Sequence, residues 1–253
     1  MERNPTALSN IQRKPERSPL LDRLGITAVV FDMDGVLIDS LPAHWESIRR
    51  IVEQEGLRVQ PLDIYLREGM GTANVLRELS AERGWGLSDE RVEEMALRRR
   101  ALFFELYQHR VFPEVPRILA WLKQAGYALA VVSGAAQESM DRCLREYQVS
   151  AEAGALGQWF TVSVSGQTLA RGKPFPDPYL KALEALGVEG RQALAVEDAR
   201  AGIASAKAAG CRVAGLETTL PNPYLREADW VLPDHAALLR FLREGNSPSA
   251  GGG

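Results

Sequence analysis

The sequence predicts an α/β fold: a Rossmann-like, doubly wound parallel sheet interrupted by an inserted all-α block. Three observations predict it. Short apolar runs rich in β-branched residues, such as 26–31 and 130–132, alternate with helical patterns, as parallel strands covered by helices do. Between 41 and 110 no convincing strand occurs, and apolar residues recur at helical spacing instead. Acidic and hydroxyl residues stand just past the ends of the apolar runs, where open α/β sheets hold their ligands. The expected division is a sheet domain from 24–40 and 111–243, a helical cap from 41–110, and flexible tails at 1–23 and 244–253.

The first strand, 26–32, ends abruptly in Asp32, with Asp34 and Gly35 after it. Gly35 permits a tight, left-handed turn that a side chain would hinder. Trp45, Ile48, Ile51 and Val52 set the helical period of 42–55, and 62–67, 74–82 and 89–107 continue it, with Ser88 or Asp89 capping the last. Gly69, Gly71, Gly84 and Gly86 break these helices. From Val111 the texture changes to a helix over 113–126, a strand over 127–133 and a helix over 137–147. A strand at 160–164, a helix at 178–186 and a strand at 192–196 follow, with Asp177 read as the N-cap before Pro178. A helix at 202–209, strands at 211–216 and 230–232, and a helix at 233–242 complete the alternation, which implies right-handed crossovers.

The formal net charge of −3 over 253 residues gives no electrostatic case for a nucleic-acid or membrane partner. Cys143 and Cys211 lack metal-type spacing and read as buried apolar groups in a reducing cytoplasm. No apolar run is long enough to span a bilayer, and 1–18 has no signal-peptide core. A monomer is the expectation. His109 and His235 read as surface or packing residues, and Trp85, Trp121 and Trp159 as packing.

Phe31-Asp32-Met33-Asp34-Gly35-Val36-Leu37-Ile38-Asp39-Ser40 resembles the first motif of the haloacid-dehalogenase-like superfamily, in its phosphatase and phosphomutase branch. A calcium loop is the rival, but Val36 and Ala43 stand where oxygen ligands would be needed. Ser133-Gly134 resembles the second motif, Lys173 in Arg171-Gly172-Lys173-Pro174 the third, and Glu197-Asp198 the fourth. Taken singly, Ser133 reads more simply as a helix cap, and the two acids as partners of a helix dipole. Their order and their places at strand ends carry the resemblance, which covers about 24–243.

The resemblance implies a phosphoryl-transfer enzyme using Mg²⁺. Asp32 would be the nucleophile and Asp34 the acid and base. Ser133, Gly134 and Lys173 would hold the phosphoryl group. Asp32, the Asp34 carbonyl and Asp198 would ligate the ion, with Glu197 direct or through water. A halide leaving group needs no proton, so Asp34 argues against a dehalogenase. Ala199 replaces the family's frequent Ser or Thr. In the helical block, His44 matches a histidine of β-phosphoglucomutase, and Arg100 falls near that enzyme's cap lysine. Thr72 stands where the mutase carries a phosphate-binding arginine, a place Arg67 or Arg98 could compensate. At least two of Arg98, Arg99 and Arg100 read as a solvated helix face. The expected substrate is a small phosphorylated metabolite, a sugar or polyol phosphate, hydrolysed by a phosphatase. A phosphomutase is the runner-up, and a non-catalytic binding module the remote alternative.

Overall fold

The computed structural model describes residues 17–68, 70–107, 110–150 and 154–245. The chain begins with α1 (Pro19–Arg23) and β1 (Ala28–Asp32), followed by the helical block α2 (Leu41–Gln54), α3 (Pro61–Tyr65), α4 (Thr72–Arg83) and α5 (Asp89–Leu106). It continues with α6 (Val115–Gln124), β2 (Ala128–Ser133), α7 (Gln137–Glu146), and two short strands, β3 (Gln148–Ser150) and β4 (Gly154–Ala155). Then come β5 (Val162–Ser165), α8 (Asp177–Leu186), β6 (Ala193–Glu197), α9 (Arg200–Ala208) and β7 (Arg212–Leu216). β8 (Trp230–Leu232) and α10 (His235–Glu244) complete it.

One six-stranded sheet runs β5-β2-β1-β6-β7-β8, with every neighbouring pair parallel. Successive side chains of a strand face opposite ways, and the two faces carry different residues. Val29, Phe31, Leu129, Val131, Leu194 and Val196 face a cluster with Ile118, Leu122, Met140 and Phe241 from α6, α7 and α10. On the other face Ala28, Val30, Ala130, Ala193 and Ala195 are small, and Tyr179, Leu183, Ile203 and Ala206 of α8 and α9 pack against them. The doubly wound expectation holds. Within 41–110 the described residues contain helices and no strand, and Ile48, Ile51, Ile64, Leu76, Leu79 and Met95 form their own cluster. The two connections of this block run side by side, with the Asp39 amide donating to the Arg110 carbonyl at 2.8 Å.

Several expectations need correction. Residues 17–23 are not a tail: Ser18 accepts from the Leu21 amide at 3.2 Å, and Leu20 and Leu21 are buried against the core. At the other end, Glu244 closes α10 and Gly245 supplies its left-handed cap. Residues 1–16 and 246–253, and His109, lie outside the described residues. Asp177 does not cap α8. It is the first helical residue after Pro176, and its carboxylate meets the Arg171 guanidinium at 3.1 Å. The β3–β4 pair escaped prediction because strands this short carry no period. His235 is buried, bonded to the Val36 carbonyl at 2.6 Å and stacked on Phe112, as a packing residue should be. No helix among the described residues is long and apolar enough to cross a membrane.

Asp229 ties α9, β7 and the start of β8 together. Its carboxylate accepts from the Lys207 ammonium (2.9 Å), the Val213 amide (2.8 Å) and the Arg212 guanidinium (3.1 Å). Burial pushes the carboxyl up, but these three donors outweigh it and hold its pKa below the ordinary value. A depressed carboxyl stabilises the fold above its unfolded pKa, about 3.9, and loses that contribution as pH falls through the lower folded value. Asp229→Asn is therefore expected to cost about 1.5–3 kcal/mol at pH 7, the scale of hydrogen bonds to a charged group. The gap to wild type should narrow in urea titrations near pH 3. An equal gap at both pH values would refute the assignment.

Candidate active site

Three adjacent strands, β2, β1 and β6, end in Ser133, Asp32 and Glu197, so their side chains meet at one edge of the sheet. Lys173 comes from the loop before α8 and is fully enclosed. Its ammonium donates to Asp32 Oδ1 at 2.5 Å and to Glu197 Oε1 at 2.7 Å. The Tyr179 hydroxyl, from α8, donates to the same Glu197 oxygen at 2.6 Å. Ser133 is buried, and its Oγ accepts from the Ala135 amide at 3.0 Å. It does not cap α7, whose N-cap is Ala136.

Two glycines make the close approach possible. Gly35 has φ +76°, and a Cβ there would overlap the Asp198 carboxylate. Gly202, in the first turn of α9, lies against Glu197, where a Cβ would overlap that carboxylate.

Asp34 faces the helical block. Its Oδ1 accepts from Ser40 Oγ at 2.6 Å and lies 3.2 Å from His44 Nε2. The other imidazole nitrogen lies 3.5 Å from Glu68 Oε1. Ser40 precedes α2 without capping it, because its hydroxyl is committed to Asp34. Above them is a cavity of about 180 Å³ lined by Asp32, Asp34, His44, Thr72, Arg99 and Gly134, among others. Arg99 is buried, donates from Nε to Ser47 Oγ at 3.0 Å, and sits 4.9 Å over the Phe103 ring, while its Nη2 has no partner.

Burial pushes the Asp32 carboxyl well above its ordinary range. Lys173 opposes this, while Glu197 and Asp34 add to it. Asp198 is pushed well up by burial, with Asp32 and Glu197 as further causes. Burial alone would lower the Lys173 ammonium, but the two carboxylates outweigh it and hold it above its usual value. Burial also raises Asp34, yet His44, Ser40 and Arg99 prevail and keep it below the ordinary carboxylate range.

The donor set fits a divalent cation. Ligand oxygens of Asp32, Glu197 and Asp198 lie within 4.8 Å of one another. Glu197 Oε2 and Asp198 Oδ1 are buried without any hydrogen-bond partner. Three carboxylates against one ammonium leave two negative charges uncompensated, and oxygen-only donors suit Mg²⁺, Ca²⁺ or Mn²⁺.

The structure thus brings Asp32, Asp34, Ser133, Gly134, Lys173, Glu197 and Asp198 to one place, with His44 and Thr72 facing them from the helical block. The arginines divide. Arg100 and Arg67 line the cavity, the first paired with Glu138 of α7 and the second with Glu78 and Glu82, while Arg98 pairs with Glu55. Arg99, not Arg100, is the enclosed cation. Glu68, Tyr179, Ser40 and Thr219 were missed. Thr219 donates its hydroxyl to Asp198 Oδ2 from the turn after β7, far from any motif.

Residues 26–210 match the haloacid dehalogenase-like hydrolase family. A phosphoglycolate phosphatase of Haemophilus influenzae is 32% identical over 222 residues, covering 84% of this chain and 96% of that protein. A phosphorylated carbohydrates phosphatase of Thermotoga maritima is 31% identical over 189 residues, covering 72% and 81%. A solved hydrolase from Pseudomonas syringae shares the fold with a TM-score of 0.75 at 23% identity, covering 85% and 97%. With nearly three quarters of its length matching the family, and the acids, lysine and serine assembled at the strand ends, this chain is an enzyme belonging to the haloacid dehalogenase-like hydrolases.

Proposed function

We propose that the enzyme is a Mg²⁺-dependent phosphatase that hydrolyses a small phosphate monoester, a sugar or polyol phosphate, through an aspartyl-phosphate on Asp32. The observation that carries this reading is the separation of two carboxylates only two residues apart. Asp32 is fixed by the buried Lys173, while Asp34 is turned toward the helical block and held by Ser40 and His44. The names of the relatives, one a phosphoglycolate phosphatase and one a phosphorylated carbohydrates phosphatase, point to the same reaction class. The cavity is small beside the ~300–1,000 Å³ of pockets for drug-sized ligands, which favours a short substrate.

In the first step Asp32 attacks phosphorus in line, the ester P–O bond breaks, and Asp34 gives its proton to the departing oxygen. Water then attacks the aspartyl-phosphate while Asp34 takes a proton from it, and inorganic phosphate leaves. The low pKa of Asp34 suits the second step. For the first, any loosening of the His44 contact raises its hold on a proton. Ser133 and the Gly134 amide receive phosphoryl oxygens, and Lys173 fixes Asp32 in its attacking position. Mg²⁺, held by Asp32, Asp198 and the Asp34 carbonyl, with Glu197 directly or through water, would offset the charge of the phosphoryl oxygens. The helical block 41–110 acts as a cap that excludes bulk water, hinged where its two connections meet.

A mutase must also grip a second phosphate. Arg67, Arg98 and Arg100 are engaged with acids, and Thr72 offers no charge. Arg99 lines the cavity with an Nη2 that has no partner, a donor for an oxygen of the leaving group. With β-glucose 1-phosphate and a bisphosphate primer, free phosphate is expected to appear well ahead of glucose 6-phosphate; the reverse order would overturn the phosphatase reading. Activity should fall at least ~10²-fold in chelator and return with Mg²⁺ far better than with Ca²⁺, which prefers looser, higher coordination.

A further inference from the structure

We infer that Thr219 is a positioning residue that restricts Asp198 to one-oxygen coordination and thereby favours Mg²⁺ over Ca²⁺; this rests on the metal site proposed above. The residue after Asp198 is Ala199, a buried methyl that can offer no hydrogen bond. The hydroxyl comes instead from Thr219, whose Oγ1 donates to Asp198 Oδ2. Gly35 closes on the same oxygen from the β1 turn: a Cβ there would overlap Oδ2 and come within 2.8 Å of Thr219 Oγ1. Oδ2 is thus boxed between a glycine and a hydroxyl, while Oδ1 is buried and free. With Oδ2 held by the Thr219 hydroxyl, Oδ1 is the oxygen left without a partner for a cation.

The turn that carries Thr219 is itself anchored. Leu220 is fully buried in the α8–α9 cluster, the Glu217 amide donates to the Leu232 carbonyl at 3.0 Å, and the Asn222 amide donates to the Glu217 carboxylate at 2.6 Å. The hydroxyl is therefore held in place before any ion arrives. Coordination number is what separates the two ions. Mg²⁺ demands a near-ideal octahedron, whereas Ca²⁺ accepts six to eight oxygens and bidentate carboxylates. Residues that orient a metal ligand typically contribute ~10–100-fold to metal affinity. Without the Thr219 hydroxyl only the Gly35 contact restrains Oδ2, so the Asp198 carboxylate can tilt toward two-oxygen binding, which disfavours the small ion more than the large one.

The test is isothermal titration of Mg²⁺ and of Ca²⁺ into chelator-treated, full-length protein, for wild type and the Thr219→Val, Thr219→Ser and Asp198→Asn variants. Wild type is expected to bind Mg²⁺ and Asp198→Asn to lose it. Thr219→Val should bind Mg²⁺ ~10–100-fold more weakly while Ca²⁺ affinity is kept or gained. Thr219→Ser, which restores the donor, should match wild type. If Thr219→Val does not fold, Thr219→Ala makes the same comparison. Mg²⁺ affinity within twofold of wild type in the valine variant overturns the inference, and so does an equal loss of both ions. A wild-type protein that binds neither ion defeats the metal site itself, and the inference with it.

Discussion

Asp32→Asn is expected to lower phosphatase turnover by at least ~10⁴-fold, about 5.4 kcal/mol of transition-state stabilisation, while leaving the protein at least as stable as wild type. Asparagine fills the same space at the end of β1 and keeps an oxygen for the Lys173 ammonium. It cannot form an acyl phosphate, and no other described carboxylate holds Asp32's place beside both Lys173 and Ser133 at the sheet edge. The stability half follows from crowding. Asp32 shares its enclosure with Glu197, Asp198 and Asp34, and burial among like charges pushes its carboxyl well up. Removing one of these charges relieves repulsion that a single ammonium only partly offsets. Steady-state kinetics with a generic monoester and urea unfolding check the two halves. Turnover above a few per cent of wild type would remove Asp32 as the nucleophile, and a large loss of stability would contradict the electrostatic account.

Lys173→Met should damage both activity and fold. Methionine matches the length of the stem but leaves Asp32 and Glu197 facing each other without the cation that bridges them. Breaking a buried pair by removing one partner costs about 3–5 kcal/mol, because the remaining charges stay desolvated. The pH dependence has a definite sign. In wild type the raised Lys173 pKa means its contribution is fully present below the unfolded lysine value, so it is flat from pH 5 to 8. In the variant the Asp32 carboxyl, already held well up by burial, loses the cation that opposed that rise and binds its proton more tightly folded than unfolded, so stability falls as pH rises. The deficit in urea unfolding should be larger at pH 8 than at pH 5. Turnover should fall at least ~10³-fold, since in the proposed mechanism the lysine holds both Asp32 and the phosphoryl group. Wild-type unfolding at pH 8 would show that Lys173 is not the ion that balances this cluster.

Much of this was legible in the residues. Asp32, Ser133 and Glu197 each follow an apolar, β-branched or alanine-rich run. A run too apolar to be exposed must be a buried strand, and its end is where polarity can resume. Lys173 was readable from the resemblance of Arg171-Gly172-Lys173-Pro174 to the family's third motif. The arginines were legible only in part: a solvated face for two of the three was expected and is found at Arg98 and Arg100, but not which one is enclosed. Arg98, Arg99 and Arg100 are consecutive on α5, and one sequence step rotates a side chain by about 100°, the 3.6-residue turn. Only the crossing of α5 over α2 decides which of the three turns inward, and it selects Arg99.

The sequence by itself determined the α/β class and which acids, serine and lysine stand at or beside the strand ends, because local periodicity and strand-end polarity are written in neighbouring residues. The tertiary structure alone decided what surrounds that set. Glu68 reaches His44, Tyr179 reaches Glu197 and Thr219 reaches Asp198 across wide separations in the chain. Such contacts depend on how helices and strand ends pack in three dimensions, and no short-range pattern encodes a hydroxyl or carboxylate that acts at a distance along the chain.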